Sequence, residues 1–197
     1  MKNYNSAISF VINLIIFLVT LISTVQLFFK DRKWFPQRAR EAFRFFTVQS
    51  NALCAVSALF MLLFPAAEWT YYLKIIGTSA VAVTMMTVLL FLGPVFGYQY
   101  MFKESDLFMH LLTPLMALVS LCVFERRGIS FAKSFIGIIP VALYGPLYMY
   151  KILFAPEGKR WEDFYGFNRG GKWRVSYVLM HLGTAVICVF LYLLLNI

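Results

Sequence analysis

Six long stretches without a charged residue constrain the fold of this chain more than any other feature of its sequence. They cover residues 3–29, 45–67, 75–102, 107–124, 134–150 and 175–197. Each approaches or exceeds the ~18–20 residues with which a helix crosses the hydrocarbon core of a membrane. Hydrophobic residues make up 61% of the chain and charged residues 14%, and a soluble domain of this size cannot bury that much apolar surface. The pattern excludes a water-soluble enzyme and predicts an integral membrane protein.

The uncharged stretches predict an all-α bundle of six transmembrane helices that form a single domain over 1–197. None of them shows the alternation that is typical of the strands of a membrane β-barrel. The first is too long for the core of a signal peptide, so we interpret it as a retained helix. The helices are expected at approximately 7–29, 45–66, 75–99, 107–124, 133–153 and 175–196.

The formal net charge of +9 is divided unevenly among the five loops that connect these helices. Most of the 18 basic residues lie in loops 1, 3 and 5, the odd loops; the N-terminus and the even loops hold only Lys2, Lys74, Arg126, Arg127 and Lys133. Because cytoplasmic loops carry an excess of Lys and Arg, we expect the odd loops in the cytoplasm and the protein in a bacterial cell membrane. The charge thus indicates topology and contact with anionic membrane lipids, not nucleic-acid binding.

Polar residues of the predicted helices collect toward the odd loops, at what we call the odd-loop end of the bundle. Thr47, His110 and His181 each lie within about two turns of that end, at 1.5 Å per residue. The opposite, even-loop end contains Asn13 and Pro65 but no histidine and no comparable cluster. The bundle is therefore expected to be polarised, with a polar chamber at its odd-loop end.

Three of the predicted helices carry their polar residues on one face. Such stripes turn toward the interior of a bundle, because lipid offers them no hydrogen-bond partner. At i, i+3, i+4 and i+7 spacing, which places residues on one helix face, the second helix has Thr47, Ser50, Asn51 and Cys54. The pattern predicts a small chamber for an amphiphile whose chain stays in the membrane, lined or supported by Gln49, Ser50, Asn51, Asp106, His181, Tyr144 and Tyr148.

A hydroxyl and an imidazole at the same depth suggest nucleophilic chemistry on an ester. Thr47 is the candidate nucleophile, and His110 is the candidate base that removes its proton. Asp106, one turn before His110, either orients the imidazole or caps the N-terminus of its helix. Structural roles remain open as well: the Thr47 hydroxyl can bond a carbonyl of its own helix, and Asn51 can hold two helices together. Acyl transfer and ester hydrolysis are both compatible with these residues.

Two short motifs resemble the androgen-induced-gene family of six-helix membrane proteins, in particular its prokaryotic branch. They are FRFFTVQSN at the head of the second helix and MHLLTP at the head of the fourth. The segment PVALYGPLYMY and the following DFYGFN are also similar, and the resemblance covers all six helices in order. It implies an intramembrane hydrolase of lipid esters, such as fatty-acid esters of hydroxy fatty acids, with Thr47 as nucleophile and His110 as base.

The leading interpretation is therefore a threonine-dependent ester hydrolase that meets its lipid substrate among the membrane lipids and uses no cofactor. Two histidines without an intramembrane carboxylate are a poor metal site, and Cys54, Cys122 and Cys188 are interpreted as small apolar residues inside the helices. The alternative is a non-catalytic lipid-binding or scaffold protein whose polar groups only connect helices. The aromatic loop 5 is either an interfacial segment or a lid over the site.

Overall fold

The computed structural model describes residues 6–197, in which six helices are long and apolar enough to cross a membrane. This confirms the predicted all-α bundle of six helices, and the protein is a multi-pass membrane protein. Lys2 lies outside the described residues. We number the helices as the first to sixth spans: Ala7–Gln26, Phe46–Leu63, Glu68–Phe96, Ser105–Phe124, Phe131–Phe154 and Trp173–Asn196.

The third span lies at the centre of the bundle. It packs against the second, fourth, fifth and sixth spans, and the first span lies beside the second and fourth. Small residues permit this close approach, as is usual between membrane helices. A Cβ added at Gly77 would lie 2.6 Å from the Ser57 hydroxyl oxygen and 3.1 Å from the Cα of Cys54.

A second close contact joins the third, fifth and sixth spans at Gly137. The Ser79 hydroxyl of the third span donates a hydrogen bond of 3.0 Å to the Gly137 carbonyl. A Cβ at Gly137 would lie 2.7 Å from that hydroxyl oxygen and 2.9 Å from the Cys188 sulfur of the sixth span. The three helices therefore meet here without space for a side chain.

Three spans are interrupted by short π-helical or 3₁₀ turns. The third consists of Glu68–Thr87, the π-turn Val88–Leu92 and Gly93–Phe96. The fourth consists of Ser105–Leu107, the π-turn Phe108–Leu112, Thr113–Val119 and the π-turn Ser120–Phe124. The fifth consists of Phe131–Ser134, the 3₁₀ turn Phe135–Ile138, Ile139–Met149 and the π-turn Tyr150–Phe154.

Two of these π-turns end just before a proline, whose missing N–H disrupts regular helical hydrogen bonding. They precede Pro94 in the third span and Pro114 in the fourth. Near Pro94, the Leu89 carbonyl accepts a hydrogen bond of 2.7 Å from the Tyr98 hydroxyl. This bond satisfies a carbonyl that would otherwise be costly inside a membrane.

The connections contain little regular structure. Loop 1 has a small antiparallel pair, Phe29–Lys30 with Lys33–Trp34, followed by the helix Pro36–Ala42. The first helix, Ser6–Gln26, therefore ends earlier than expected. Loop 3 contains Tyr98–Met101, and loop 5 contains the 3₁₀ turn Arg169–Gly171.

The third span begins at Glu68 rather than near residue 75, and this change relocates one charge. Lys74 was assigned to loop 2, but it lies about 9 Å along the third span, at 1.5 Å per residue, and is fully buried. Its ammonium donates a hydrogen bond to the side-chain oxygen of Asn13 and lies 4.0 Å from a carboxylate oxygen of Glu125. A lysine can be buried at this depth in a span only because these partners replace water.

Glu125, which directly follows the fourth span, completes a buried polar network with Lys74, Asn13, Ser9 and Ser120. The Ser9 and Ser120 hydroxyls each donate a hydrogen bond of 2.8 Å to the same oxygen of Glu125, and the Asn13 amide donates to it as well. The expectation that the even-loop end holds no comparable polar cluster was therefore wrong. Lys74 and Glu125 stand at the margins of uncharged stretches, where charges are normally exposed, and only the packing of three spans buries them.

Candidate active site

A cavity of about 610 Å³ opens at the odd-loop end of the bundle, within the size range of small-molecule sites. The third, fifth and sixth spans form its walls, and the start of the second span and part of loop 5 close one end. Most of the lining is apolar. Its hydroxyl groups belong to Thr47, Thr84, Thr87, Tyr144, Tyr148, Tyr165, Ser176 and Thr184.

Thr47 lies at the closed end of this cavity, one residue after the start of the second span. The backbone N–H of Phe46 donates a hydrogen bond of 2.9 Å to the Tyr165 hydroxyl, and that hydroxyl also interacts with Thr47 and Tyr144. The Tyr144 hydroxyl donates in turn to the Arg44 carbonyl, at 2.8 Å. Three side-chain hydroxyls therefore meet at the N-terminal end of the second span.

Tyr165 is a residue of loop 5 that sequence reasoning did not single out for the site. Burial raises the pKa of its hydroxyl to about 12, although hydrogen bonds with Phe46 and Thr47 lower it. The phenol therefore keeps its proton at neutral pH and can donate to an oxygen held near Thr47, as an oxyanion requires. The DFYGFN motif was the available signal, but nothing in the sequence places it against the second span.

Loop 5 is held in place by one carboxylate and a group of aromatic rings. Asp163 accepts hydrogen bonds from the Tyr148 hydroxyl at 2.9 Å and from the backbone N–H groups of Phe167 and Asn168 at 2.8 and 2.7 Å. The rings that surround Tyr148, which we call the aromatic cap, are those of Trp161, Phe164, Tyr165 and Phe167. The aromatic cap packs onto the fifth span, and two of its members, Tyr165 and Phe167, line the cavity.

His110 lies in the π-turn of the fourth span and does not line the cavity. Its Nδ1 is 2.6 Å from the Met101 carbonyl. A carbonyl can only accept, so Nδ1 carries the proton and Nε2 of the neutral ring is left as the basic nitrogen. Among the described residues, no hydrogen bond joins His110 to Thr47 or to Asp106. The Met101 carbonyl, rather than the Asp106 carboxylate, therefore accepts the hydrogen bond that orients the imidazole.

Asn51 connects the turn of the second span that bears Thr47 to the turn of the fourth that bears His110. Its side-chain amide donates hydrogen bonds to the Thr47 carbonyl at 2.8 Å and to the Met109 carbonyl at 3.0 Å. Its side-chain oxygen is buried and has no hydrogen-bond partner in the described part of the chain. As an amide oxygen it can only accept a hydrogen bond.

The remaining predicted residues divide between the cavity wall and the surrounding helices. Tyr144 and Tyr148 line the cavity, whereas Gln49, Ser50 and His181 do not. Ser50 shares a hydrogen bond of 2.8 Å with Thr84, Gln49 donates to the Phe43 carbonyl at 2.7 Å, and Nδ1 of His181 lies 2.9 Å from the Tyr177 carbonyl. In residues 6–197 no group of three or more His, Cys, Asp or Glu side chains is placed to hold a metal ion.

Comparison of the chain with protein-family models, with curated proteins and with solved structures found no match in any of the three.

Proposed function

We propose that this membrane protein hydrolyses a lipid ester bound in the cavity, with Thr47 as the nucleophile. The observation that carries the proposal is that Thr47 lies together with the hydroxyls of Tyr144 and Tyr165 at one end of a mostly apolar cavity inside the membrane. The resemblance of FTVQSN and MHLLTP to the androgen-induced-gene family supports the same residue and the same class of chemistry.

In the proposed reaction, Thr47 Oγ1 attacks the ester carbonyl carbon while Nε2 of His110 accepts its proton. The alcohol then leaves with that proton, and an acyl-threonine remains. Water, deprotonated by the same nitrogen, attacks the acyl-threonine, releases the fatty acid and restores the threonine. Tyr165 donates a hydrogen bond to the developing oxyanion. The mechanism requires a substrate-bound state in which Nε2 reaches the Thr47 hydroxyl directly or through one water, as catalytic contacts often tighten on binding.

Labelling of the purified protein with a fluorophosphonate tests this proposal. We expect the wild type to be labelled and Thr47→Ala and His110→Ala to lose the label, because the first lacks the nucleophile and the second lacks its base. Thr24→Ala is a matched control, since Thr24 lies near the odd-loop end of the first span, as Thr47 does in the second, but outside the cavity. Labelling that survives in folded Thr47→Ala would reject Thr47 as the nucleophile.

A second candidate is a lipid-binding protein without catalysis. The observation that favours it is the position of His110, which neither lines the cavity nor bonds to Thr47 within the described residues. For this candidate we expect the cavity to take up a lipid probe while no residue of the wild type reacts with the fluorophosphonate.

We further propose that the odd loops face the cytoplasm of a bacterial cell. Burial of Lys74 inside the third span removes one basic residue from the even-loop side and so strengthens the charge bias. In a cysteine-free background, Lys33→Cys of loop 1 is expected to react with an impermeant maleimide only after the membrane is opened. Ser130→Cys of loop 4 is expected to react in intact cells, and the reverse pattern would invert the topology.

A further inference from the structure

The cavity has a mouth between the third and sixth spans. Residues on both sides of the mouth line the cavity and are at the same time highly exposed, including Leu90 of the third span at 70% and Val186 of the sixth at 68%. Both belong to membrane-spanning helices. At this depth the surroundings of the mouth are lipid chains rather than water.

Protein lines the cavity on its other sides. Toward the odd loops, residues 165–167 of loop 5 cover it, and Tyr144 and Tyr148 of the fifth span form the back wall. Toward the even-loop end, the third and sixth spans come together in the core that includes Tyr71, Ile75, Leu191 and Leu195. A molecule that enters through the mouth therefore comes from the bilayer and travels toward Thr47.

The lining also restricts the chemistry of that molecule. Within the described residues, no Lys, Arg, Asp or Glu contributes to the cavity, so a charged headgroup would be buried without a partner at high cost. Some of the hydroxyls are already bonded nearby: Thr184 donates to the Met180 carbonyl at 2.8 Å, and Thr84 shares its bond with Ser50. Thr47 and Tyr165 bring two interacting hydroxyls to the odd-loop end of the lining, where an uncharged polar group can contact them.

We infer that the mouth is a lateral portal through which the acyl chain of an uncharged ester enters from the bilayer. The ester group lies at Thr47 and Tyr165, and the chain extends back between the third and sixth spans into the membrane. This inference rests on the lipid site of the proposed function and adds the entry route and the class of substrate. Phospholipids, free fatty acids and fatty-acid esters of hydroxy fatty acids, whose own carboxyl group stays free, carry a charge that has no partner in the lining, so we expect them to bind less well than an uncharged ester.

Gly183 offers a way to close the portal without disturbing the protein. It lies on the exposed face of the sixth span and lines the cavity, and a Cβ added there meets no atom within 4 Å. Gly145 on the opposite wall differs, because a Cβ there would lie 2.7 Å from the Met180 side chain. A large side chain at position 183 therefore occupies the portal and leaves the helix packing unchanged.

The test measures photocrosslinking of the full chain in lipid nanodiscs. The probe is a methyl ester of a fatty acid that carries a diazirine in its chain, compared with the matching free acid and with a diazirine-labelled phosphatidylcholine. We expect the ester to crosslink to peptides of the third and sixth spans. Gly183→Phe is expected to lower this crosslinking roughly tenfold, because its ring occupies the portal and weakens binding of the ester, and Gly183→Ala only slightly. Leu182→Phe is the control, since Leu182 is exposed at the same depth but does not line the cavity.

The results separate the portal from the hydrolase. Equal crosslinking of folded Gly183→Phe and wild type would overturn the portal, and equal capture of the acid or of phosphatidylcholine would overturn the assigned substrate class. A third result would be that the wild type captures the ester, that Gly183→Phe abolishes this capture, and that a fluorophosphonate labels no residue of the wild type. This result would support the portal and reject hydrolysis. If the protein hydrolyses the ester and Gly183→Phe does not slow this hydrolysis, the proposed function is supported and the portal is rejected.

Discussion

The two ends of the bundle both place polar side chains inside the membrane, but they differ in what these side chains contact. At the even-loop end, Lys74 and Glu125 are fully buried and are surrounded by protein partners from the first, third and fourth spans. At the odd-loop end, Thr47 and Tyr165 border an open cavity. The even-loop end uses its polar groups for assembly, whereas the odd-loop end keeps polar groups available to a ligand.

The difference has an energetic basis. A buried charge is tolerated only when another group compensates it, so the network of Lys74 and Glu125 leaves little freedom to the helices that hold it. The hydroxyls around Thr47 are neutral and cost far less to leave partly unpaired. A site that must admit a substrate can therefore be built from hydroxyls, whereas a charge pair at the same depth would draw the spans together and fill the space.

Loss of one charge at the even-loop end should have the largest effect on stability. Glu125→Gln leaves the Lys74 ammonium buried without its counter-charge, and we expect the free energy of unfolding to fall by about 3–5 kcal/mol. The measurement is denaturant unfolding in detergent micelles. The double variant Lys74→Met with Glu125→Met should lose much less, because it removes both charges, and similar losses in the two variants would contradict a paired network.

Substitutions at two glycines compare the packed side of the sixth span, which Gly137 of the fifth span contacts, with its open side at Gly183. Gly137→Val places a side chain 2.7 Å or less from the Ser79 hydroxyl, and overpacking of this kind costs about 1–3 kcal/mol of unfolding free energy. Gly183→Val is the matched control and should cost nothing, since its Cβ meets open space. Thermal unfolding of both variants measures the difference. Equal destabilisation would mean that the portal is packed shut.

Asp163→Asn tests how firmly loop 5 covers the cavity. The substitution removes the charge that accepts bonds from Tyr148, Phe167 and Asn168, and hydrogen bonds to a charged group contribute about 1.5–3 kcal/mol each. We expect faster hydrogen exchange at the Phe167 and Asn168 amides while the six spans remain folded. Glu162→Gln changes an exposed neighbour and should leave exchange unaltered; equal rates in Asp163→Asn and wild type would show that the loop is held by its aromatic rings alone.

The titration of Tyr165 is expected to affect stability only at alkaline pH. Its pKa is about 12 in the folded protein because of burial, against about 10 in an unfolded chain. The folded state then holds the proton more tightly, so the associated stability is present below about pH 10 and is lost as the pH rises toward 12. The stability of wild type relative to Tyr165→Phe should decline across this range in unfolding experiments. A constant difference between the two proteins would mean that the hydroxyl is not buried in solution.

Sequence and structure agree most closely on features that depend only on the length and order of segments along the chain. Uncharged length determines which segments can cross a membrane, so the number and order of the spans follow from the sequence. The start of the third span was wrong by seven residues because Lys74 looks like the end of a hydrophobic run when only its neighbours in sequence are considered. Its partners are Asn13 and Glu125, and their proximity cannot be read from spacing along the chain.

The candidate site shows the same difference between what spacing along the chain predicts and what contacts between distant segments decide. Sequence periodicity indicated that Thr47 lies on the polar face of the second span, and the structure places it at the cavity. The assignment of His110 as its base stays a prediction. Tyr165, the aromatic cap and the portal at Gly183 come from segments more than 100 residues away from Thr47 along the chain. Local composition thus determined which helices form, while only tertiary packing decided which polar groups are sealed and which face a cavity, because burial and partnership depend on contacts between distant segments.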